Sequence, residues 1–247
     1  MTNPVLSRAR IKIGAGLLAV NALLYVVAEP ITAAAWQSHA YSYSYNYISD
    51  LGVPDLDTFE GRVIDSPLHW VMNTGFVVHG VLFVLAILLL RDVFIGKATR
   101  RTIVVLAFVH GIGIALVGLF HGSQQAVEDG TSVLHGAGAL LAIIGGNAAF
   151  IAAGIALIGG RVNVAALVRS RVLGGTFVAF GVLGIAAFGY LLATAGSAYD
   201  GIPERIAVYT VMAAEIIAAT ALISRTGETR NGKEDHTSHR RNQRARP

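Results

Sequence analysis

The chain has 247 residues, of which 54% are hydrophobic and only 14% carry a charge. Soluble domains typically contain about 25% charged residues, so the composition excludes an ordinary soluble protein and predicts one that lies in a membrane. The lack of any cysteine excludes disulfides, thiolate metal ligands and cysteine nucleophiles.

Six apolar segments follow one another, each near the roughly 20 residues that a helix needs to cross a membrane. They cover residues 11–28, 69–90, 102–121, 134–158, 173–195 and 205–224. Helices are expected because open strands would leave backbone polar groups unpaired in lipid. The predicted fold is all-α: a polytopic membrane protein whose single domain, residues 1–225, is a bundle of six transmembrane helices. An extracytoplasmic loop, residues 31–67, joins the first two helices.

Positive charge is concentrated on one side of these spans. The side carries Arg8, Arg10, Lys12, Arg91, Lys97, Arg100, Arg101, Arg161, Arg169, Arg171, Arg225, Arg230, Lys233, Arg240, Arg241, Arg244 and Arg246. Only Arg62 and Arg205 lie opposite. Cytoplasmic connections carry an excess of lysine and arginine, so we predict a multi-pass protein of the cytoplasmic membrane with both termini in the cytoplasm.

The segment after the last span, residues 226–247, is hydrophilic and basic. It lacks apolar periodicity, so we expect a disordered cytoplasmic tail. Basic segments beside a span typically contact anionic lipid headgroups. Membrane lipids are therefore the expected partner, and nucleic acid is not.

The predicted outer loop contains four tyrosines that alternate with serine and asparagine: Tyr41, Tyr43, Tyr45 and Tyr47. Tyrosine is enriched at the boundary between membrane and water. We therefore predict that these side chains anchor the loop at the interface rather than stack on a ligand. The same loop is a candidate surface for a protein partner.

Three histidines fall at the predicted outer ends of spans, namely His69, His121 and His135. Imidazoles and carboxylates suit zinc, and three protein ligands with one open position are typical of hydrolytic sites. The polar residues expected beside them are Ser49, Asp50, Asp65 and Asn73. The alternative is a set of interfacial side chains with ordinary hydrogen bonds, since no HExxH motif is present.

Polar side chains also fall within the predicted lipid core, where His79, His110 and Glu215 lie at comparable depth. Two facing histidines are typical of haem ligation, and histidine with glutamate is typical of proton relays. The first span adds a polar stripe with a four-residue period, Asn21, Tyr25 and Glu29. For both sets the alternative is an ordinary seam of hydrogen bonds between helices.

Two short motifs resemble signatures of a known membrane family. Ile48-Ser49-Asp50-Leu51-Gly52 is similar to the ISELG/ISDLG signature of the family called domain of unknown function 998 (DUF998). Gly118-Leu119-Phe120, a polar loop and then Leu134-His135-Gly136 resemble its second signature, in which Gly-x-Phe-Pro and an acidic residue precede a histidine. His121 stands where that signature has proline. The resemblance spans residues 10–225 and implies six membrane helices.

The residues leave three functions open. The first is a lipid- or partner-binding membrane module with a polar site at the outer face. The second is a metal-dependent hydrolase that acts on lipid at the outer leaflet through His69, His121, His135 and Asp50. The third is proton or electron transfer through the mid-membrane histidines and Glu215, with or without haem. The sequence does not decide whether the protein is an enzyme.

Overall fold

The computed structural model describes residues 7–38, 40–164 and 170–244, with side chains as far as Ser224. Six long apolar helices in this part of the chain can each cross a membrane, which confirms the predicted all-α, six-span fold. The spans are α1 (Arg8–Ala34), α2 (His69–Leu90), α3 (Lys97–Leu119), α5 (Ser132–Ile158), α6 (Arg171–Thr194) and α7 (Gly201–Arg244). A short helix, α4 (Gln124–Glu128), lies between α3 and α5.

The six spanning helices form a closed ring. Each packs against the next in the chain, and α7 packs against α1. One side, the loop face, carries the connections after α1, α3 and α6. The other, the terminal face, carries the start of α1 and the connections after α2 and α5. The ring therefore encloses one interior that all six helices line.

Close helix contacts depend on glycine at several crossings. A Cβ added at Gly80 of α2 would lie 2.5 Å from the carbonyl oxygen of Gly111 in α3. A Cβ added at Gly154 of α5 would lie 2.5 Å from the carbonyl oxygen of Gly174 in α6, and one added at Gly174 would lie 2.7 Å from that of Gly154. Small residues let membrane helices approach closely, so these contacts fix the spacing of neighbouring helices.

The loop between α1 and α2 is folded, and we call residues 40–68 the lid. It contains a 3-10 helix, Ser49–Gly52, and a two-stranded antiparallel hairpin of β1 (Asp57–Phe59) and β2 (Arg62–Ile64). Glu60 and Gly61 turn the hairpin, and both have positive φ. Two-residue turns of this kind match the right-handed twist of the strands that they join. The hairpin is an element that the sequence did not predict.

Helix α7 overlaps the segment for which the sequence predicts disorder. Its backbone is helical as far as Arg244, and no proline interrupts the chain between Pro203 and Pro247. Helical hydrogen bonds are local, so a helix can propagate from a packed span into a hydrophilic segment. The structure does not describe the side chains after Ser224 or any part of residues 245–247, so the disorder of the tail stays a prediction. Arg169 also lies outside the described residues.

Candidate functional site

Arg205 of α7 holds the lid to the helix ring. Its guanidinium donates to Glu29 Oε1 of α1 through Nε at 2.9 Å and Nη2 at 2.8 Å. Nη1 donates to the carbonyl oxygens of Tyr43, Asn46 and Gly201 at 2.7, 2.9 and 3.0 Å. Glu29 is fully buried, and its other oxygen accepts a hydrogen bond from the Tyr209 hydroxyl. One buried ion pair thus joins the first span, the last span and the lid.

A second buried ion pair lies inside the lid. Arg62 Nε donates to Asp50 Oδ2 at 3.0 Å, and both side chains are only 2% exposed. The same oxygen accepts hydrogen bonds from the Tyr47 backbone and from Asn46 Nδ2. Burial raises the pKa of the Asp50 carboxyl although these contacts act against it. Burial alone would lower the pKa of Arg62, but the charge of Asp50 raises it, so the guanidinium stays charged.

Two of the four lid tyrosines, Tyr41 and Tyr47, form hydrogen bonds inside the protein, which the predicted interfacial role does not require. Tyr41 donates to the Tyr47 carbonyl oxygen at 2.9 Å and accepts from Arg205. Tyr47 donates to Asp200 Oδ2 at 3.0 Å, and burial together with this hydrogen bond raises the pKa of its hydroxyl. Tyr43 is exposed and Tyr45 half-buried. Interfacial anchoring by the four tyrosines stays a prediction, with Tyr43 the side chain best placed for it.

The Ile48–Gly52 motif forms the 3-10 helix of the lid and docks on α2. Asn73 Nδ2 donates to the Gly52 carbonyl oxygen at 2.8 Å, and Ser66 Oγ donates to that of Leu51 at 2.7 Å. A Cβ at Gly52 would collide with Asn73 Oδ1. The glycine is therefore required for close approach to α2. Asn73 acts as a support of the lid.

A cavity of about 430 Å³ lies beneath the lid, and we call it the outer cavity. Its polar end is formed by Ser49, Asp50, Glu60, Arg62, His135 and Glu204. Glu204 Oε2 accepts a hydrogen bond from the Ile48 backbone at 2.5 Å, which places this carboxyl directly under the motif. His135 Nδ1 donates to the Phe120 carbonyl oxygen at 2.9 Å, so Nε2 of the neutral ring is an acceptor.

The other end of the outer cavity is apolar. Its wall consists of Ala139 and Ile143 of α5 and Phe188, Leu191 and Leu192 of α6. These helices touch at Gly154 and Gly174 toward the terminal face. The outer cavity is lined by both helices at their loop-face ends. Gly136, Leu192 and Ala195 border the cavity and are exposed on the membrane-facing surface.

The structure does not gather the three predicted histidines into one ligand group, and metal binding by them stays a prediction. No group of three or more histidine, aspartate or glutamate side chains in the described part of the chain could hold a metal ion. His69 Nδ1 lies 3.1 Å from the Ser66 carbonyl oxygen, and His121 Nε2 accepts from Asn73 at 3.4 Å. Burial lowers the pKa of His121, and the nearby His135 and His69 lower it further. His69 and His135 use Nδ1 for backbone carbonyl oxygens and His121 uses Nε2 for Asn73, so each of the three rings has a separate hydrogen-bond partner.

Of the other predicted outer residues, the structure brings Ser49, Asp50 and His135 to the cavity. Asn73 lies behind the 3-10 helix instead. Asp65 is half-buried and is not part of the cavity wall. The outer site is therefore an amphipathic cavity, and of the three predicted histidines His135 is the one that lines it.

The mid-membrane residues do meet. His79 Nε2 lies 3.0 Å from His110 Nε2 and 3.4 Å from Glu215 Oε1, and Asn21 Nδ2 donates to Glu215 Oε2 at 3.0 Å. This arrangement of the two rings does not fit the haem alternative, because two axial imidazoles would bind the iron from opposite faces of the macrocycle. A separation of 3.0 Å leaves no space for iron and porphyrin between the two rings.

The sequence missed the residues that organise the site, namely Arg62, Arg205 and Glu204. A signal for two of them was present. Arg62 and Arg205 are the only positive residues on the side that charge bias otherwise keeps free of them. An arginine retained against that bias is a candidate for a buried ion pair, and both form one. Glu204 gave no comparable signal, because acidic residues are common on that side.

A family model described as "Protein of unknown function (DUF998)" matches residues 18–221. The matched region contains both motifs that carry the resemblance, the lid and nearly all of the six spans. Searches of curated proteins and of solved structures find no match.

Proposed function

The chain belongs to the DUF998 family of membrane proteins, and we propose that it is a membrane module that binds a lipid in the outer cavity. The proposal rests on one observation, that the cavity has a polar end and an apolar end. One end presents hydrogen-bonding and charged groups of the lid, and the other is a wall of aliphatic and aromatic side chains. Ligand sites in proteins typically measure about 300–1,000 Å³, and about 430 Å³ falls within that range.

The charges favour one class of headgroup. Three carboxyl groups, those of Asp50, Glu60 and Glu204, face a single guanidinium. That guanidinium, Arg62, is already paired with Asp50 and Glu60. His135 Nε2 adds an acceptor. A headgroup that donates hydrogen bonds and carries no net negative charge complements this surface, whereas an anionic headgroup would be repelled.

The position of the cavity supports entry from the bilayer. Its apolar wall is formed by side chains of both α5 and α6, and Leu192 and Ala195 border it and are exposed. An acyl chain can therefore remain in the bilayer while the headgroup lies beneath the lid. We further propose that the loop face is extracytoplasmic and that both termini lie in the cytoplasm, because the terminal face carries the arginine and lysine excess.

Retention of lipid by the full-length protein tests the proposal. We would reconstitute it in nanodiscs with equal amounts of phosphatidylethanolamine, a neutral glycosyldiacylglycerol and phosphatidylglycerol, and measure bound lipid by native mass spectrometry. We expect phosphatidylethanolamine or the glycolipid to be retained over phosphatidylglycerol. Ala139→Phe, which fills the cavity, should reduce retention on the order of tenfold, equivalent to about 1.4 kcal/mol.

Ala137→Phe is the matched control, because Ala137 is exposed on the same helix and does not line the cavity. It should retain lipid like the unmodified protein. Equal retention by Ala139→Phe and Ala137→Phe, or a preference for phosphatidylglycerol, would overturn the proposal.

A further inference from the structure

A second cavity lies deeper in the ring, and we call it the inner cavity. It measures about 50 Å³. Ser49, His135 and Glu204 line both this cavity and the outer one. His110 lines the inner cavity, with Tyr25, Ile114 and Met212 among its other walls. The two cavities therefore adjoin across three polar side chains, and the deeper one reaches a mid-membrane histidine.

The hydrogen bonds of the mid-membrane residues have a defined direction. His110 Nδ1 lies 2.7 Å from the Ala142 carbonyl oxygen, which can only accept, so Nδ1 carries a proton. Nε2 of the neutral ring then accepts from His79 Nε2 at 3.0 Å. The same His79 nitrogen lies 3.4 Å from Glu215 Oε1. The proton-bearing groups thus form a continuous series from Glu215 through His79 to His110.

The charge balance of this series favours one bound proton. His79, His110 and Glu215 are each at most 2% exposed. Among the described residues no lysine or arginine pairs with Glu215, whose contacts are Asn21 and His79. If the Glu215 carboxyl were ionised and the rings of His79 and His110 were both neutral, a negative charge without a partner would be buried inside the protein at membrane depth. Such a charge is costly. One added proton makes either a neutral carboxyl or an imidazolium–carboxylate pair.

Few other titratable groups surround the series. Tyr25 of α1 contacts the His79 ring at a centroid distance of 5.3 Å. Glu204 of α7 and His135 of α5 face it across the inner cavity. Within the described part of the chain, Asn21 Oδ1, His79 Nδ1 and Glu215 Oε1 have no hydrogen-bond partner. The cluster therefore retains capacity to accept a proton.

The terminal-face side of the series is closed by aromatic rings. Phe83 lies 4.6 Å from the His110 ring and 6.2 Å from the His79 ring, measured between centroids. Phe150 contacts Phe83, and Phe177 contacts Phe150. Beyond them lies a third cavity whose lining consists entirely of apolar side chains from all six spans. Among the described residues, the lining of this cavity offers a proton no polar side chain.

We propose that His79, His110 and Glu215 form an intramembrane proton-binding site that exchanges with the loop face through the inner cavity. A proton enters past Ser49, His135 and Glu204, reaches His110, and is held between His79 and Glu215. For this transfer the His79 Nε2–H turns from His110 to Glu215 Oε1, which frees the His110 Nε2 lone pair for the entering proton. His79 then gives its Nε2 proton to the Glu215 carboxylate and takes the proton from His110 Nε2, so both rings end neutral and the carboxyl ends protonated. The site does not require the outer cavity to hold lipid.

Infrared spectroscopy of the full-length protein in nanodiscs tests this site. We expect a protonated-carboxyl band that disappears in Glu215→Gln and persists in the control Glu128→Gln, because Glu128 is exposed and lines neither cavity. After transfer to D₂O, the deuterium exchange of that band should slow on the order of tenfold in Ile114→Trp, which fills the inner cavity. Ala218→Trp fills the apolar cavity toward the terminal face and should leave the exchange rate unchanged.

His110→Asn provides a second variant if Ile114→Trp does not fold, because asparagine can still donate to Ala142 while the imidazole is lost. It should slow the exchange in the same way. The proposal is wrong if Glu215→Gln leaves the carboxyl band intact. It is also wrong if Ala218→Trp slows exchange as much as the variants on the loop-face side.

Discussion

Arg62 and Arg205 show how single residues define the loop face. Each is an arginine on the side that otherwise lacks positive charge, and each is buried against a carboxylate, Asp50 or Glu29. Removing one partner of a buried pair leaves an uncompensated charge in a region of low dielectric constant. These residues therefore hold the lid in one conformation and define the roof of the outer cavity.

Replacing Arg62 by methionine should lower the free energy of unfolding by about 3–5 kcal/mol, because Asp50 would remain buried without its partner. The measurement is thermal or denaturant unfolding in detergent micelles. Arg101→Met is the matched control, since Arg101 is exposed, and it should change stability by less than about 0.5 kcal/mol. The double variant Asp50→Asn, Arg62→Met should recover part of the loss. A loss for Arg62→Met no larger than that of the control would contradict a stabilising role for the pair.

At the scale of elements, the packing of α5 on α6 determines where the outer cavity lies. Gly154 and Gly174 bring the two backbones together toward the terminal face. Asn147 of α5 also lies close to Gly184 of α6, and its amide donates to the Ala207 carbonyl oxygen of α7 at 2.9 Å, so a hydrogen bond joins α5 to α7 beside this crossing. Nearer the loop face, Ile143 of α5 packs in one cluster with Phe188 and Leu191 of α6, and the same side chains line the outer cavity. The cavity therefore lies against both helices on the side of the lid.

Two adjacent glycines of α6 should respond to alanine in opposite directions. A Cβ at Gly174 would lie 2.7 Å from the Gly154 carbonyl oxygen, whereas one at Gly175 would meet nothing within 4 Å. Gly174→Ala should destabilise the protein by about 1–3 kcal/mol through overpacking. Gly175→Ala should be neutral or stabilising by up to about 1 kcal/mol, because alanine favours helix over glycine. Unfolding in detergent measures both, and the same sign for the two variants would argue against the close crossing.

At the scale of the whole molecule, ring closure brings the first and last spans together. Glu29 and Arg205 are 176 positions apart, and Asn21 and Glu215 are 194 apart, yet each pair is hydrogen-bonded. The interior is layered from the loop face inward: lid, two adjoining cavities, a polar cluster, an aromatic layer and an apolar cavity. This order gives the two faces of the protein different access to the interior.

The orientation of the ring can be tested because the chain contains no cysteine. Thr58 of the hairpin and Ala98 at the start of α3 are both exposed and lie on opposite faces. We expect Thr58→Cys to react with a membrane-impermeant thiol reagent in intact cells, and Ala98→Cys to react only after permeabilisation. Reaction of Ala98→Cys in intact cells, with Thr58→Cys protected, would reverse the proposed orientation.

The local chemistry of the chain was sufficient to predict the spans. Crossing a bilayer requires long apolar helices whatever their neighbours are, so the six segments could be read directly from their composition. The stripe of Asn21, Tyr25 and Glu29 also follows from helical periodicity, and all three side chains are buried. The shared depth of His79, His110 and Glu215 could be counted along the helices. Each of these properties can be derived from a single helix without knowing which helices are its neighbours.

Contacts between helices could not be predicted in this way. Depth and face do not fix which helices are neighbours. Among the described residues His69, His121 and His135, at similar height, form no ligand group, whereas His79 and His110 are in contact. The partners of Arg62, Arg205 and Glu204 depended on the fold of the lid. The chain by itself determined a six-span membrane protein with polar groups in its core. Only ring closure and the docking of the lid decided which of those groups meet. A side-chain contact depends on which helices are neighbours in three dimensions, and hydropathy along the chain does not give that information.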